Sequence, residues 1–169
     1  MITVEFVTTM SRYNAWQNNS IYEAASKLND EARNMDRQAF FGSIHETLSH
    51  LLWGDQIWMS RFAGTPQPLA KSIDDSRCMV AQWADLKAQR MEFDKTILSW
   101  SETVTEDFLS GNMSWFSGAI QKTVTRPTGM LVAHMFNHQT HHRGQVNTML
   151  LQAGCKLDDT DLFVLPEPA

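Results

Sequence analysis

This sequence of 169 residues lacks several features that would assign it to a protein class directly. It has two cysteines, Cys78 and Cys155, which are too few for a disulfide scaffold and lack the spacing of zinc-finger ligands. No segment approaches the roughly 18 apolar residues that span a bilayer. The N-terminal segment has no basic region of the kind that begins a signal peptide. We therefore expect a cytoplasmic protein that has no membrane partner.

Basic residues are also scarce. The chain has 14 Lys and Arg against 19 Asp and Glu, a formal net charge of −5, and the basic residues form no cluster. Because proteins that bind phosphate backbones concentrate positive charge, we expect no nucleic-acid partner. The length and the hydrophobic content of 43% are typical of one globular domain, which we predict to cover residues 1–169.

Standard catalytic motifs are absent as well. The sequence has no P-loop, no Gly-x-Ser-x-Gly elbow, no dinucleotide-binding glycine motif and no repeated Glu-x-x-His pair. The zincin motif His-Glu-x-x-His fails by one position, since the histidine that follows His45-Glu46 is His50. Five residues separate the two rings by about 140° around a helix, so they cannot share an ion in that way. We expect His45, near the start of its helix, to be exposed or part of the cap.

Helical periodicity dominates the rest of the sequence. Apolar residues recur at helical spacing in four long segments, and the polar stretch from Asn29 to Asp36 is interpreted as a connection. Ser43 and Glu46 match a capping box at the second segment. The predicted helices span residues 4–28, 44–62, 74–100 and 130–151. They favour an all-α fold, an up-and-down four-helix bundle.

A short insertion before the last predicted helix is β-prone. Residues 114–116 and 122–125 favour strands, and Gly118 lies between them. We predict a hairpin or a loop there.

Four of the six histidines lie in the last predicted helix: His134, His138, His141 and His142. At 100° per residue His134 and His142 lie 40° on either side of His138, whereas His141 lies toward the edge of that face. Two imidazoles spaced His-x-x-x-His can reach one ion, and a third ligand must then come from another element. His50 is the candidate, because it stands in an apolar run where an unsatisfied polar side chain is costly. Surface histidines or hydrogen-bonded core histidines would show the same spacing, so spacing alone leaves both interpretations open.

Further polar and aromatic residues are candidates for roles around such a site. Side chains that could orient ligating histidines are Asn137, Asp55, Glu46 and Gln145. Asp55 has an alternative interpretation as a structural ion pair with Arg143 or Arg61. The aromatic residues that could line a pocket, or belong to the core, are Trp16, Trp53, Trp58 and Trp115.

Several of these segments together resemble the DinB/YfiT-like superfamily. The sequence Asn-His-x-x-His-His-Arg-Gly-Gln at residues 137–145 is similar to the family signature. Residues 47–53, followed by Trp58, resemble its second helix, and residues 13–18 resemble its first-helix pattern. The motifs occur in the family order, and the resemblance extends to Leu151.

The resemblance implies a four-helix bundle that binds one divalent metal ion through His50, His138 and His142. It also implies a homodimer, and places His134 and His141 beside the ligands or on the surface. Three neutral imidazoles leave a coordination position open and suit zinc or nickel better than magnesium or calcium.

The resemblance leaves three functions open, because relatives with this fold include enzymes that transfer low-molecular-weight thiols. The first is a metal-dependent thiol S-transferase acting on a small-molecule substrate. The second is a metal-dependent hydrolase. The third is a non-catalytic, stress-related metal-binding protein.

Overall fold

The computed structural model describes residues 2–118 and 120–167. Four long helices account for most of this part of the chain: α1 (Val4–Ser26), α3 (Ile44–Phe62), α5 (Trp83–Ser101) and α7 (Thr128–Gln152). The shorter elements are α2 (Asp30–Asn34), α4 (Ile73–Ser76), α6 (Glu106–Ser110), the strands β1 (Asn112–Ser117) and β2 (Lys122–Pro127), and a 3-10 turn (Leu162–Val164). Within the described residues, no helix is sufficiently long and hydrophobic to serve as a transmembrane segment.

The long helices pack pairwise, α1 against α5 and α3 against α7, with further contacts between α1 and α7 and between α3 and α5. Two apolar clusters fill the space between them. The first joins the start of α3 and of α5 to the ends of α1 and α7, for example Leu48 and Leu86 to Ile21 and Val146. The second joins the opposite ends of the same helices.

This arrangement corrects the predicted up-and-down order. Because α3 and α5 both begin at the first cluster, they run parallel to each other and antiparallel to α1 and α7. The connection at residues 63–82 is long enough to return along α3, and its Val80 packs into the first cluster. The helix predicted over residues 74–100 is consequently wrong at its start, since the returning segment contains α4 and its non-helical residues 77–82 separate α4 from α5.

Local capping explains where several helices begin. Ser43 caps α3, and its hydroxyl accepts from the Glu46 backbone N–H at 3.2 Å. The predicted capping box is only half formed, because the Glu46 carboxylate accepts from Arg77 at 3.1 Å rather than from the Ser43 backbone. The stretch interpreted as a connection contains α2, which places Arg33 in a buried position where it donates to the Ala25 carbonyl at 3.0 Å.

The β-prone insertion, predicted to be a hairpin or a loop, forms a hairpin. Strands β1 and β2 pair antiparallel, with Trp115 opposite Val124. Val124 is buried, so the hairpin lies against the helices rather than projecting freely.

A buried ion network joins α3, α5 and α1. Arg90 contacts Asp55 and Asp94 at 2.7 Å each, and Asn18 donates to Asp94 at 3.0 Å. Burial raises the pKa of both carboxyl groups, and the Arg90 guanidinium opposes that shift. The partner predicted for Asp55 was therefore wrong, because its ion pair is with Arg90 rather than with Arg143 or Arg61.

Candidate metal centre

Three histidines from two helices meet between α3 and α7. His50 lies in the middle of α3, and His138 and His142 lie one turn apart on α7. One ligand nitrogen of each lies within 4.8 Å of the others, and the two Nε2 atoms of His50 and His138 are 3.2 Å apart. The structure thus brings together the three side chains that the sequence singled out.

A hydrogen bond to Ser76 orients the His50 ring. The Ser76 hydroxyl lies 2.8 Å from Nδ1 of His50 and donates its own proton to the Ile73 carbonyl. Ser76 must therefore accept from Nδ1–H of His50, which leaves the Nε2 lone pair free to face the other rings. Ser76 was not among the predicted orienting residues, because it lies on α4, 26 residues from His50, and no local spacing connects the two.

Gln145 orients the His142 ring in the same way. Its side-chain oxygen lies 2.8 Å from Nδ1 of His142, which must then donate and leave Nε2 free. The Gln145 amide nitrogen lies 3.4 Å from Nε2 of the exposed His141. It can donate to that atom only when the side-chain oxygen of Gln145 faces His142, so this second contact agrees with the first. Gln145 was one of the predicted orienting residues.

The other predicted orienting residues do not reach these rings in the described part of the chain. Asp55 belongs to the ion network, Glu46 pairs with Arg77, and Asn137 is exposed on the outer face of α7.

The His138 ring packs directly on the backbone of α3 at Gly54. A Cβ atom at Gly54 would lie 2.9 Å from Cε1 and 3.4 Å from Nδ1 of His138, closer than side chains normally approach. Gly54 follows His50 by one helical turn, so the two positions share one side of α3. The absence of a side chain at Gly54 is what lets His138 approach His50.

Burial keeps these imidazoles neutral. Removal from water lowers the pKa of His50 and of His138 to about 3, and each additionally experiences repulsion from neighbouring histidines. Burial also lowers the pKa of His142, although its bond to Gln145 opposes the shift. Neutral imidazole is the form that binds metal ions.

A cleft of about 830 Å³ opens beside the three histidines. Trp53, Trp58 and Trp115 line it, whereas Trp16 packs against Tyr13 outside it. Its lining residues come from α3, α4, α7, the loops before α3 and α4, and the hairpin. The hairpin contributes Ser117, Gly118 and Gln121 besides Trp115. The hairpin therefore shapes the cleft.

Two further histidines, His134 and His45, lie outside the cluster. His134 lines the cleft with its ring edge-on to Trp58, at a centroid distance of 5.3 Å. His45 was expected at the surface or in the cap, but it is 5% exposed and its Nε2 lies 2.7 Å from the Val80 carbonyl. The returning segment at residues 63–82 covers it.

The donor set fits a divalent transition-metal ion. Ligand nitrogens 2.0–2.1 Å from a tetrahedral ion stand about 3.3 Å apart, close to the 3.2 Å between His50 and His138. Two of the three rings donate their other nitrogen to a fixed acceptor, as ligating histidines usually do. The cluster lies at the wall of a cleft, so a fourth position would face solvent or a small molecule.

The chain is similar in sequence to proteins of the DinB family. The model of the DinB family matches residues 1–169. Protein DinB of Bacillus subtilis (strain 168) is 28% identical over an alignment of 169 residues, which covers 93% of this chain and 91% of that protein.

A solved structure shares the fold. The crystal structure of a DinB-like protein from Bacillus cereus ATCC 10987 superposes with a TM-score of 0.62 over 85% of this chain and 89% of that one. The two sequences are 14% identical, so this likeness concerns the fold alone.

Proposed function

This chain belongs to the DinB family, and on that basis we propose that it binds one divalent metal ion, zinc or nickel, through His50, His138 and His142. We further propose a single-domain four-helix bundle over residues 1–169, located in the cytoplasm and assembled as a homodimer. The metal-dependent function that the geometry supports best is transfer of a low-molecular-weight thiol to an electrophilic small molecule.

The observation that carries the metal proposal is the convergence of three neutral imidazoles beside an open cleft. Structural zinc sites normally have four protein ligands, whereas three ligands leave room for a reactant. A divalent ion at such a site supplies Lewis acidity, which lowers the pKa of a thiol or of water.

The chain's own residues perform the remaining tasks. Ser76 and Gln145 hold the Nδ1 protons of His50 and His142, so that both Nε2 atoms stay available. The tryptophans of the cleft provide apolar surface that binds the body of a small molecule and excludes water.

The scarcity of carboxylates among the described lining residues of the cleft favours thiol transfer over hydrolysis. Metal-dependent hydrolases of the zincin type use a nearby glutamate as the base that removes a proton from water. In the described part of the chain, Asp74 is the only carboxylate that lines the cleft, and it is exposed on α4. A thiol that has already lost its proton to solvent needs no such base.

The proposed reaction is a substitution at an electrophilic carbon. The thiolate sulfur forms a bond to that carbon, and the bond from the carbon to its leaving group breaks. The leaving group departs with the electron pair, and the thiol proton has passed to water. No oxidant or reductant is required.

Metal content tests the ligand assignment. Purified protein should hold about one ion per chain, and His138→Ala should lose most of it. Asn137→Ala is the matched control, since that exposed side chain precedes His138 in the same helix and lies outside the cluster. Equal metal content in the wild type and His138→Ala would overturn the assignment.

Activity screens test the reaction. Metal-loaded protein is incubated with a panel of cellular thiols and a chromogenic electrophile, with metal-free protein as the control. The proposal expects a metal-dependent rate with at least one thiol, and no rate with any thiol removes it. Metal-dependent turnover of ester, amide or lactone substrates would instead favour hydrolysis. If both screens are silent while metal removal lowers the melting temperature, the ion has a structural role.

A further inference from the structure

Arg61 places an unneutralised positive charge in the wall of the cleft. It lies in the last turn of α3, is half-buried and lines the cleft. No carboxylate lies within ion-pair distance of its guanidinium, and no hydrogen-bond acceptor contacts it, among residues 2–118 and 120–167. The half-buried guanidinium is partly removed from water, which lowers its pKa.

Two tryptophans hold this guanidinium in place. Its central carbon lies 4.7 Å from the ring centre of Trp58 and 5.3 Å from that of Trp115. Trp58 is itself stacked on Phe62, which stacks on Trp100 in the second apolar cluster. Aromatic faces attract the cation but leave its N–H donors without acceptors, so the donors stay available to a ligand.

Arg61 stands on the same side of α3 as His50. Eleven residues make three helical turns, which places the two positions within about 20° of each other and about 16 Å apart along the axis. Helical side chains lean toward the N-terminus, so the Arg61 side chain leans back toward the histidines. The ring of His134 bridges the two regions, at 5.3 Å from Trp58 and 6.1 Å from His138. A ligand that contacts both ends of this wall spans roughly 10 Å.

The formal charge of the cleft as a whole favours an anionic ligand. Its formally charged lining residues are Arg61, Lys71 and Asp74. Lys71 donates to the Pro68 carbonyl at 3.1 Å, and within residues 2–118 and 120–167 no carboxylate lies within 4.0 Å of its ammonium group. Two cations against one exposed carboxylate leave a net positive charge beside a large aromatic surface.

We propose that Arg61, held between Trp58 and Trp115, binds the carboxylate of the small molecule whose other end reaches the three histidines. The ligand class is an extended, largely apolar or aromatic molecule that carries a carboxylate roughly 10 Å from its reactive group. This inference rests on the proposed function for the reactive end only, because the carboxylate contact needs no metal.

The test uses matched pairs of probes on two forms of the full chain. Zinc-loaded protein is titrated calorimetrically with linear mercaptocarboxylates of increasing length and with the mercaptoalcohol of each length. Metal-free protein is titrated with octanoate and with octanol. The expected result in both forms is binding of the carboxylate about tenfold to a hundredfold tighter than the alcohol, with the preference largest for the longer thiols.

Three variants assign the preference to Arg61. Arg61→Met should abolish the preference in both forms, and Arg61→Lys should keep part of it. Lys27→Met also removes one positive charge, from the exposed C-cap of α1, at the opposite end of the long helices from Arg61. It should change the affinity neither for the carboxylates nor for the alcohols. Unaltered circular dichroism of Arg61→Met establishes that it is folded, and Arg61→Gln replaces it otherwise.

The outcomes separate this inference from the proposed function. If thiols bind the zinc-loaded protein but mercaptocarboxylates bind no more tightly than mercaptoalcohols, the inference is overturned while the metal proposal stands. The same holds if Arg61→Met still binds the carboxylates more tightly than the alcohols. If zinc does not bind but octanoate is still preferred through Arg61, the inference stands and the metal proposal fails.

Discussion

Replacing Gly54 by alanine should weaken metal binding without weakening the fold. The new Cβ would lie 2.9 Å from Cε1 of His138 and 3.4 Å from its Nδ1. Ordinary contacts of this kind begin near 3.4 Å, so the ring must move away by roughly half an ångström. Because the contacting atoms belong to a side chain, the ring yields rather than the backbone of α3.

The expected loss of affinity follows from the tolerance of metal coordination. Ligand distances are held to about 0.2 Å, and changes in the residues that orient ligands cost about tenfold to a hundredfold in metal affinity. A displacement of roughly half an ångström exceeds that tolerance. We therefore expect the zinc affinity of Gly54→Ala to fall by about tenfold to a hundredfold.

The free energy of unfolding of metal-free Gly54→Ala should rise slightly or stay unchanged. Alanine in a helix interior is favoured over glycine by about 1 kcal/mol, which offsets the cost of turning one imidazole. Gly144→Ala is the matched control, because a Cβ at that helical position meets nothing within 4 Å. The control should gain the same helix stability and keep the wild-type zinc affinity.

Zinc affinity is measured by competition with a chromogenic chelator, and stability by thermal unfolding of the metal-free proteins. Wild-type affinity in Gly54→Ala would refute the argument that His138 depends on this contact. A loss of several kcal/mol in the metal-free form would show that the helices, and not the ring, had moved.

Three further predictions concern the surroundings of the cluster. Ser76→Ala removes the acceptor of His50 and should lower zinc affinity about tenfold in the same competition assay. Ser60→Ala removes a hydroxyl of α3 that bonds the Ile57 carbonyl instead, and should leave the affinity unchanged. The contribution of His50 and His138 to the free energy of unfolding of the metal-free protein should fall as the pH drops from about 6.5 toward 3, because the unfolded chain takes up protons that these two histidines, with folded pKa values of about 3, do not. Comparison with His138→Ala isolates this contribution from that of the buried carboxylates, and urea midpoints with the same pH dependence in both proteins would contradict it. Asp55→Ala should cost about 3–5 kcal/mol in urea unfolding, because it leaves a buried guanidinium short of a partner; a loss below about 1 kcal/mol would contradict this.

Local patterns were sufficient to predict the ends of α1, α3 and α7 within a few residues and to select His50 as a partner for the last helix. Hydrophobic periodicity records which side of a helix is buried, and a histidine inside an apolar run is conspicuous for the same reason. The hairpin followed from β-propensity around Gly118.

Contacts between distant segments could not be predicted in this way. The orientation of His50 depends on Ser76, and the burial of His45 depends on Val80, because both partners lie on the segment that returns along α3. A connection of that length is compatible with either direction of the next helix, so the sequence did not distinguish the observed order from an up-and-down order. Only the packing of Val80 and Leu86 into the first cluster decides it.

Asp55 illustrates how helical geometry separates the candidate site from the structural network. It follows His50 by five residues, which turns it about 140° around α3 and away from the histidines. Its carboxylate meets Arg90 of α5, and Asp94 connects that pair to Asn18 of α1. The charges that join α3 to α5, and α5 to α1, therefore lie on a different side of α3 from the histidine cluster. Changes at the cluster can alter metal and substrate binding while the buried ion network continues to stabilise the helices.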